Sequence, residues 1–325
     1  MNVETAAPAP ISSAPPPSRE VQIPAKDGFP LSATLYGEPS QRLVVLNSAT
    51  SVARGFYRSF ASALTKAGFR VLTYDYRGVG DSRPSSLRGF QARTRDWGLL
   101  DMEGVLAWAR HELVPSRIFL VGHSVGGQLA GLLEVKDGID GMVTLSSQSG
   151  YWGLQGGEQK LAVAVHVHLT VPATSHLFGY FPFSRLAQGE DLPKGAALEW
   201  ARWCRNPDYL RGDSTLPLER FQDFEAPVLA YSIDDDKWGT AASVDAMMSA
   251  YPNLERRHIH PKAHGLRGLG HFGYFRPSSR ALWSEAIEWM EALSSERREE
   301  DRPAGGGNSR SDPGHEDHEP WGGCD

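Results

Sequence analysis

Cysteine is almost missing. Cys204 and Cys324 are the only two in 325 residues, too few for a disulfide framework, so the chain is expected to work in a reducing, cytoplasmic setting. A basic excess is missing too. The net charge is −6, and residues 296–325, with nine acids against four arginines, hold −5 of it, which leaves the body nearly neutral. Nucleic-acid binding needs a basic stripe, so no nucleic acid is expected as a partner. Met1-Asn2-Val3-Glu4 is neither basic nor followed by an apolar run, so no secretory signal is expected. No glycine-rich phosphate loop is present either. Gly78-x-Gly80 lacks a third glycine and an opening helix, and no cofactor is expected. His166 and His168 lie two residues apart, as do His258 and His260. No Cys, Asp or Glu joins either pair at ligand spacing, so no metal is expected.

What is present centres on Arg117–Leu133. An apolar run, Ile118-Phe119-Leu120-Val121, leads into Gly122-His123-Ser124-Val125-Gly126-Gly127 and then into helix-forming Gln128-Leu129-Ala130. Gly-x-Ser-x-Gly between a strand pattern and a helix pattern has the form of a nucleophile elbow. The turn is so tight that the serine takes strained backbone angles. It is tolerated because the positions two before and two after Ser124 lack a Cβ.

Around this centre strands and helices alternate, which implies parallel pairing. A hairpin is expected from Val21–Pro24 and Leu31–Tyr36, and strands at Arg42–Leu46, Phe69–Tyr74, Gly141–Leu145, Pro227–Tyr231 and Arg256–His260. Helices are expected at Phe56–Ala67, Trp97–His111, Thr240–Ala250 and Ser279–Leu293. The domain is placed at 19–295, between a disordered Ala/Pro/Ser-rich leader, 1–18, and a disordered acidic tail, 296–325. From about 149 to 225 the alternation stops, and this segment reads as an inserted cap. Within it Leu161–Phe183 contains no Lys, Arg, Asp or Glu.

Three stretches together resemble the α/β-hydrolase family: Gly122–Gly126, Asp75-Tyr76-Arg77-Gly78-x-Gly80-x-Ser82, and Gly270-His271-Phe272. The resemblance covers about Glu20 to Leu293. Within the superfamily the chain is most similar to a little-characterised bacterial group near serine aminopeptidase-like and monoacylglycerol-lipase-like enzymes. It implies an α/β-hydrolase fold: a mostly parallel eight-stranded sheet, helices on both faces, and a cap after the sixth strand. It also implies a triad in the order Ser, acid, His. The strand at Pro227 ends in Ile233-Asp234-Asp235-Asp236, and the family pattern maps Asp236 onto the acid, with Asp235 one register away. For the base, His271 is preferred to His264 because a small residue precedes it and the last helix follows closely. Val125 and Ala49 are the expected oxyanion donors, with Ser48 behind Ala49; Asn47-Ser48-Ala49 stands where the family has His-Gly-x. Asp75 and Arg77 are read as an ion pair or a turn brace.

The expected function is serine-dependent hydrolysis of a carboxylic ester through an acyl-enzyme. Amide cleavage of the serine aminopeptidase type, or a non-catalytic receptor for an apolar ligand, would fit the same fold. Tyr151, Trp152, Trp200 and Trp203 would line the site with aromatic surface, so the expected partner is a small apolar acyl or aromatic ester. The pattern also admits a peripheral contact of the cap with a membrane surface. A buried cap core is the plainer reading.

Overall fold

The computed structural model describes residues 17–157, 159–185 and 189–300, with side chains as far as Ser295. Residues 1–16 and 301–325, the bulk of the expected leader and tail, lie outside it.

Eight strands form one sheet: β1 Ser18–Pro24, β2 Pro30–Tyr36, β3 Arg42–Asn47, β4 Arg70–Tyr74, β5 Arg117–His123, β6 Ile139–Leu145, β7 Val228–Ile233 and β8 Leu254–Ile259. Their spatial order is β1-β2-β4-β3-β5-β6-β7-β8. The first two junctions, β1/β2 and β2/β4, are antiparallel, and the others are parallel. The sheet is therefore of the expected kind. β1 starts within the stretch assigned to the leader.

The central strands are mainly apolar because both faces are covered, and their two-residue period divides the core. Leu43, Val45, Ile118, Leu120, Met142, Val228 and Ala230 face one cluster. Val44, Leu46, Phe119, Val121, Val143, Leu229 and Tyr231 face the other. Helices α1 Arg58–Lys66 and α7 Trp283–Glu300 pack on the second cluster through Phe60, Leu64, Trp283, Ala286 and Met290. α7 continues to Glu300, past the expected end at Leu293. α2 Glu103–Glu112 packs on the first cluster through Val105, Leu106 and Ala109. The elbow helix α3, Val125–Leu129, is a single turn and a half that tightens into a 3-10 turn at Ala130–Leu132.

Between β6 and β7 the chain forms the continuous helix α4 Gln159–Phe178, a two-stranded ribbon of Tyr180–Phe181 with Leu192–Pro193, and helix α5 Lys194–Cys204. This segment is anchored to the body at the Thr94–Asp96 turn. The Arg95 Nε and backbone N–H donate to the two Glu199 oxygens at 2.7 and 2.9 Å, and its Nη2 donates to Asp213 at 2.8 Å. Thr94 Oγ1 donates to the Ala196 carbonyl at 2.8 Å. Helix α6, Ala241–Met248, follows β7 and opens with a Thr240 side chain accepting the Ser243 N–H.

Candidate active site

Ser124 sits between β5 and α3 at φ 52°, ψ −117°, in a region that a residue with a Cβ rarely adopts. Two close approaches maintain it. A Cβ on Gly126 would lie 2.2 Å from the Asn47 carbonyl oxygen, and one on Gly122 would lie 2.5 Å from Gly127 Cα. The Ser124 N–H still donates to Leu145 at 2.9 Å, so the elbow serine is tied to the end of β6.

The run Asp234-Asp235-Asp236 after β7 divides three ways. Asp236 is buried. Its Oδ1 accepts the N–H groups of Trp238 and Gly239, both at 2.9 Å, and its Oδ2 lies 2.8 Å from His271 Nδ1. Burial opposes its charge, yet the His271 ring and these hydrogen bonds outweigh burial and hold the carboxyl down at about 2. An ionised Asp236 requires the proton on Nδ1, which leaves Nε2 of His271 with a lone pair. Asp235 turns outward instead and accepts the N–H groups of Leu269 and Gly270, at 2.9 and 3.0 Å, in the loop just before His271. Asp234 faces His258 and His260. His264 is exposed in the 3-10 turn Pro261–His264. The structure thus brings Asp236 to His271, and neither Asp235 nor His264 joins that pair.

A second hydrogen-bonded chain backs the site. His123 is fully buried, and its Nε2 lies 2.9 Å from the His271 carbonyl, which can only accept. Nε2 therefore carries the proton, and Nδ1 accepts from the Tyr57 hydroxyl at 2.9 Å. Burial, with the neighbouring His271, pushes His123 down to about 3, so it stays neutral. Tyr57 Oη in turn accepts the Ala49 N–H at 2.8 Å. This corrects the expectation for Ala49: its N–H already has an acceptor, because α1 brings Tyr57 under the turn after β3. The N–H groups of Val125 and Thr50 have no protein acceptor among the described residues. Asp75 and Arg77 do not pair with each other. Asp75 holds the Arg54 and Asp81 N–H groups and the Arg54 guanidinium, while Arg77 is held by Asp27 and Asp101.

Ser124 and His271 open onto one cavity of about 810 Å³, lined among others by Phe56, Val163, Phe181, Trp200 and Phe272. Ala49 and Thr50 also line it. Of the aromatics expected there only Trp200 does so. Trp203 is buried against Asp213, and Tyr151 and Trp152 lie outside the lining. The Ser124 hydroxyl donates to Gln148 Oε1 at 3.4 Å, and no hydrogen bond joins it to His271 among the described residues. Gln148 was missed in the sequence because a neutral side chain after Ser146-Ser147 carries no signature. Its one clue is position, at the end of the strand beside the elbow. From the Gln148 carbonyl the bonds continue through Gln128 Nε2 at 2.7 Å and the Tyr209 hydroxyl at 3.0 Å, so the β6–β7 segment reaches the neighbour of Ser124.

His166 and His168 lie on helix α4 in a π-helical segment, His166–Thr170. This helix corrects one further expectation, since the plain reading of a buried apolar run fails. Among the described residues four of the six large exposed hydrophobic residues are on this helix: Leu161 at 72%, Val165 at 48%, Leu169 at 64% and Leu177 at 75% exposure.

Residues 43–281 match the model of the alpha/beta hydrolase family. A protein of Variovorax paradoxus named as a carbamate hydrolase, RutD, is 32% identical over 104 residues, which is 32% of this chain and 36% of that protein. An esterase of Pyrococcus furiosus has a similar structure, with a TM-score of 0.54 and 18% identity over 85% of this chain and 93% of its own. So does an esterase of Exiguobacterium antarcticum, with a TM-score of 0.58 and 15% identity over 84% of this chain and 100% of its own. At such identities the likeness shows the fold.

Proposed function

The chain belongs to the alpha/beta hydrolase family, and on that premise we propose that it is a serine hydrolase acting on a carboxylic ester with an apolar acyl or aromatic part. One observation carries the reading: a buried carboxylate 2.8 Å from the imidazole of a histidine that shares an apolar cavity with a strained elbow serine. In this reading Ser124 attacks the carbonyl after its hydroxyl turns from Gln148 to His271 Nε2. His271 takes the proton and later gives it to the leaving group. Asp236 holds the tautomer and stabilises the imidazolium. The Val125 N–H and a donor from the Ala49–Thr50 turn stabilise the oxyanion. The Thr50 N–H has no acceptor among the described residues, whereas that of Ala49 has to exchange Tyr57 for the oxyanion. Water then releases the acyl group.

A peptidase that selects a free amine would need carboxylates facing the cavity. Of Glu190, Asp191 and Glu199 in the inserted segment, Glu199 is bound by Arg95, and Asp191 by Ser184 and Arg83. Among the described residues Glu190 is the one carboxylate in the lining, and Arg276 lines the same cavity. An ester series tests the choice. kcat/KM on p-nitrophenyl esters is expected to rise several-fold for each two methylenes, each worth ~0.8 kcal/mol when buried. Faster cleavage of aminoacyl nitroanilides overturns the ester assignment. The cap, proposed for about 149–225, would then be the specificity element, and the proposed compartment is the cytoplasm, in keeping with a buried, unpaired Cys204.

The same helix supports a proposal about substrate delivery. By length and composition α4 would suffice to cross a membrane, but only 22% of its apolar window is buried. One side, through Val163, Val167, Val171 and Ser175, packs on the protein, and Ala162, His166 and Thr170 line the cavity. The other side presents the exposed stripe, with Lys160 and Arg185 beyond its two ends and no acid between. That pattern suits a helix lying flat on an anionic bilayer with the cavity beside it. Vesicles rich in phosphatidylglycerol are expected to sediment the protein. Leu161→Glu with Leu169→Glu should abolish this and leave hydrolysis of a short soluble ester unchanged. No sedimentation of the wild type removes the membrane from the reading.

A further inference from the structure

We propose that Asp234, His258 and His260 form a binding site for a divalent transition-metal ion of the zinc class, apart from the cavity that holds Ser124. In the sequence the two histidines lack a third ligand, because that ligand comes from the neighbouring strand. β7 and β8 run parallel in the register Ile233↔Ile259, and the Asp234 N–H donates to the Ile259 carbonyl at 3.0 Å. This ladder bond sets Asp234 beside the two exposed side chains that flank buried Ile259.

The ligand atoms already converge. Asp234 Oδ1 lies 3.6 Å from His258 Nε2 and 3.8 Å from His260 Nδ1, and one ligand atom from each of the three residues lies within 4.8 Å of the other two. In a tetrahedral zinc site with bonds of about 2.0–2.1 Å, neighbouring ligand atoms stand about 3.3 Å apart. The carboxylate–imidazole pairs therefore need to close by a few tenths of an ångström and the two imidazoles by up to about 1.5 Å, and rotation of exposed side chains supplies the movement. Two imidazoles and one carboxylate are a donor set that zinc accepts, with water in the fourth position.

His258 is also oriented for the task. Its Nδ1 lies 2.8 Å from Ser232 Oγ, one residue before the end of β7. With Nδ1 donating to that hydroxyl, the Nε2 lone pair is left for the ion, as in metal sites where a second hydrogen bond fixes the ligand's tautomer. Arg256 Nη2 donates to the same Ser232 oxygen at 3.2 Å and holds it in place.

The test is calorimetric titration of the tag-free protein with zinc chloride, paired with the visible spectrum of the cobalt(II) form. One ion per chain is expected in the wild type and in His271→Ala, which removes the imidazole of the catalytic cavity. Binding should be lost in His258→Ala/His260→Ala and in Asp234→Ala, and weakened by about tenfold or more in Ser232→Ala. His260 lies beyond the end of β8, so His260→Ala alone serves if the double variant does not fold. Absence of saturable binding by the wild type overturns the proposal. So does binding that survives loss of the histidine pair or is lost in His271→Ala.

Discussion

Three adjacent carboxylates differ in what they touch, and so in what their removal should do. Asp236→Asn keeps the shape but favours the wrong His271 tautomer, and kcat should fall by as much as ~10⁴. Asp235→Ala instead frees the Leu269 and Gly270 N–H groups. It should lower kcat by a smaller factor and leave the pH profile in place, because it loosens the loop that carries His271. The reverse order in single-turnover rates would give Asp235 the role assigned to Asp236. A buried neutral His123 has a different consequence. Its folded value, about 3, lies below the ordinary 6.5, so the unfolded chain takes up its proton first, and stability is lost as pH falls from about 6.5 towards 3. The slope is up to ~1.4 kcal/mol per pH unit. The Asp236 window, from 3.8 down to about 2, overlaps it only below 3.8. Urea unfolding at stepped pH should show a loss of stability steeper by this one proton in the wild type than in His123→Gln, since buried Asp101, pushed up to about 7, works in the opposite direction in both; equal slopes would mean that His123 does not stay neutral. At this scale Ser124 was legible because its motif is local. The choice among Asp234, Asp235 and Asp236 rested on a family register, since direction along three consecutive residues is set by the turn to Gly239. Tyr57 holding the Ala49 N–H was not legible, because it joins two loops only after α1 has packed.

At the scale of elements, α4 shows where pattern reading stops. A charge-free run of that length is plain in the sequence. Whether it is core or surface depends on what packs against it. Leu161, Val165, Leu169, Ala173 and Leu177 recur every four residues, a spacing that drifts around a regular α-helix. The wider turns at His166–Thr170 counter the drift and help to keep the stripe on one side. The anchor of this segment is testable in the same way. Arg95→Ala leaves the Glu199 and Asp213 carboxylates, each only 6% exposed, without that guanidinium. Such a loss costs about 3–5 kcal/mol in buried pairs, and Arg202 on the same carboxylates should hold it to the lower end. Denaturant unfolding should show a transition shifted accordingly. A shift under about 0.5 kcal/mol would mean that the segment is held by its apolar contacts alone.

For the whole molecule, alternation of strand and helix was enough to imply the parallel sheet, because each β–α unit declares itself locally. The cavity was not, since its walls come from the turn after β3, the elbow, α4, the ribbon and the His271 loop, which are distant in sequence. The proposed chemistry depends on that assembly and ends at one oxygen atom. Intact-mass analysis after treatment with a fluorophosphonate probe tests it most directly. One adduct per chain is expected in the wild type, mapped to the peptide that contains Ser124 and absent from Ser124→Ala, which should also lose ~10⁶ in kcat. A folded wild type that takes no adduct, or an adduct that persists in Ser124→Ala, would contradict a serine nucleophile at this elbow.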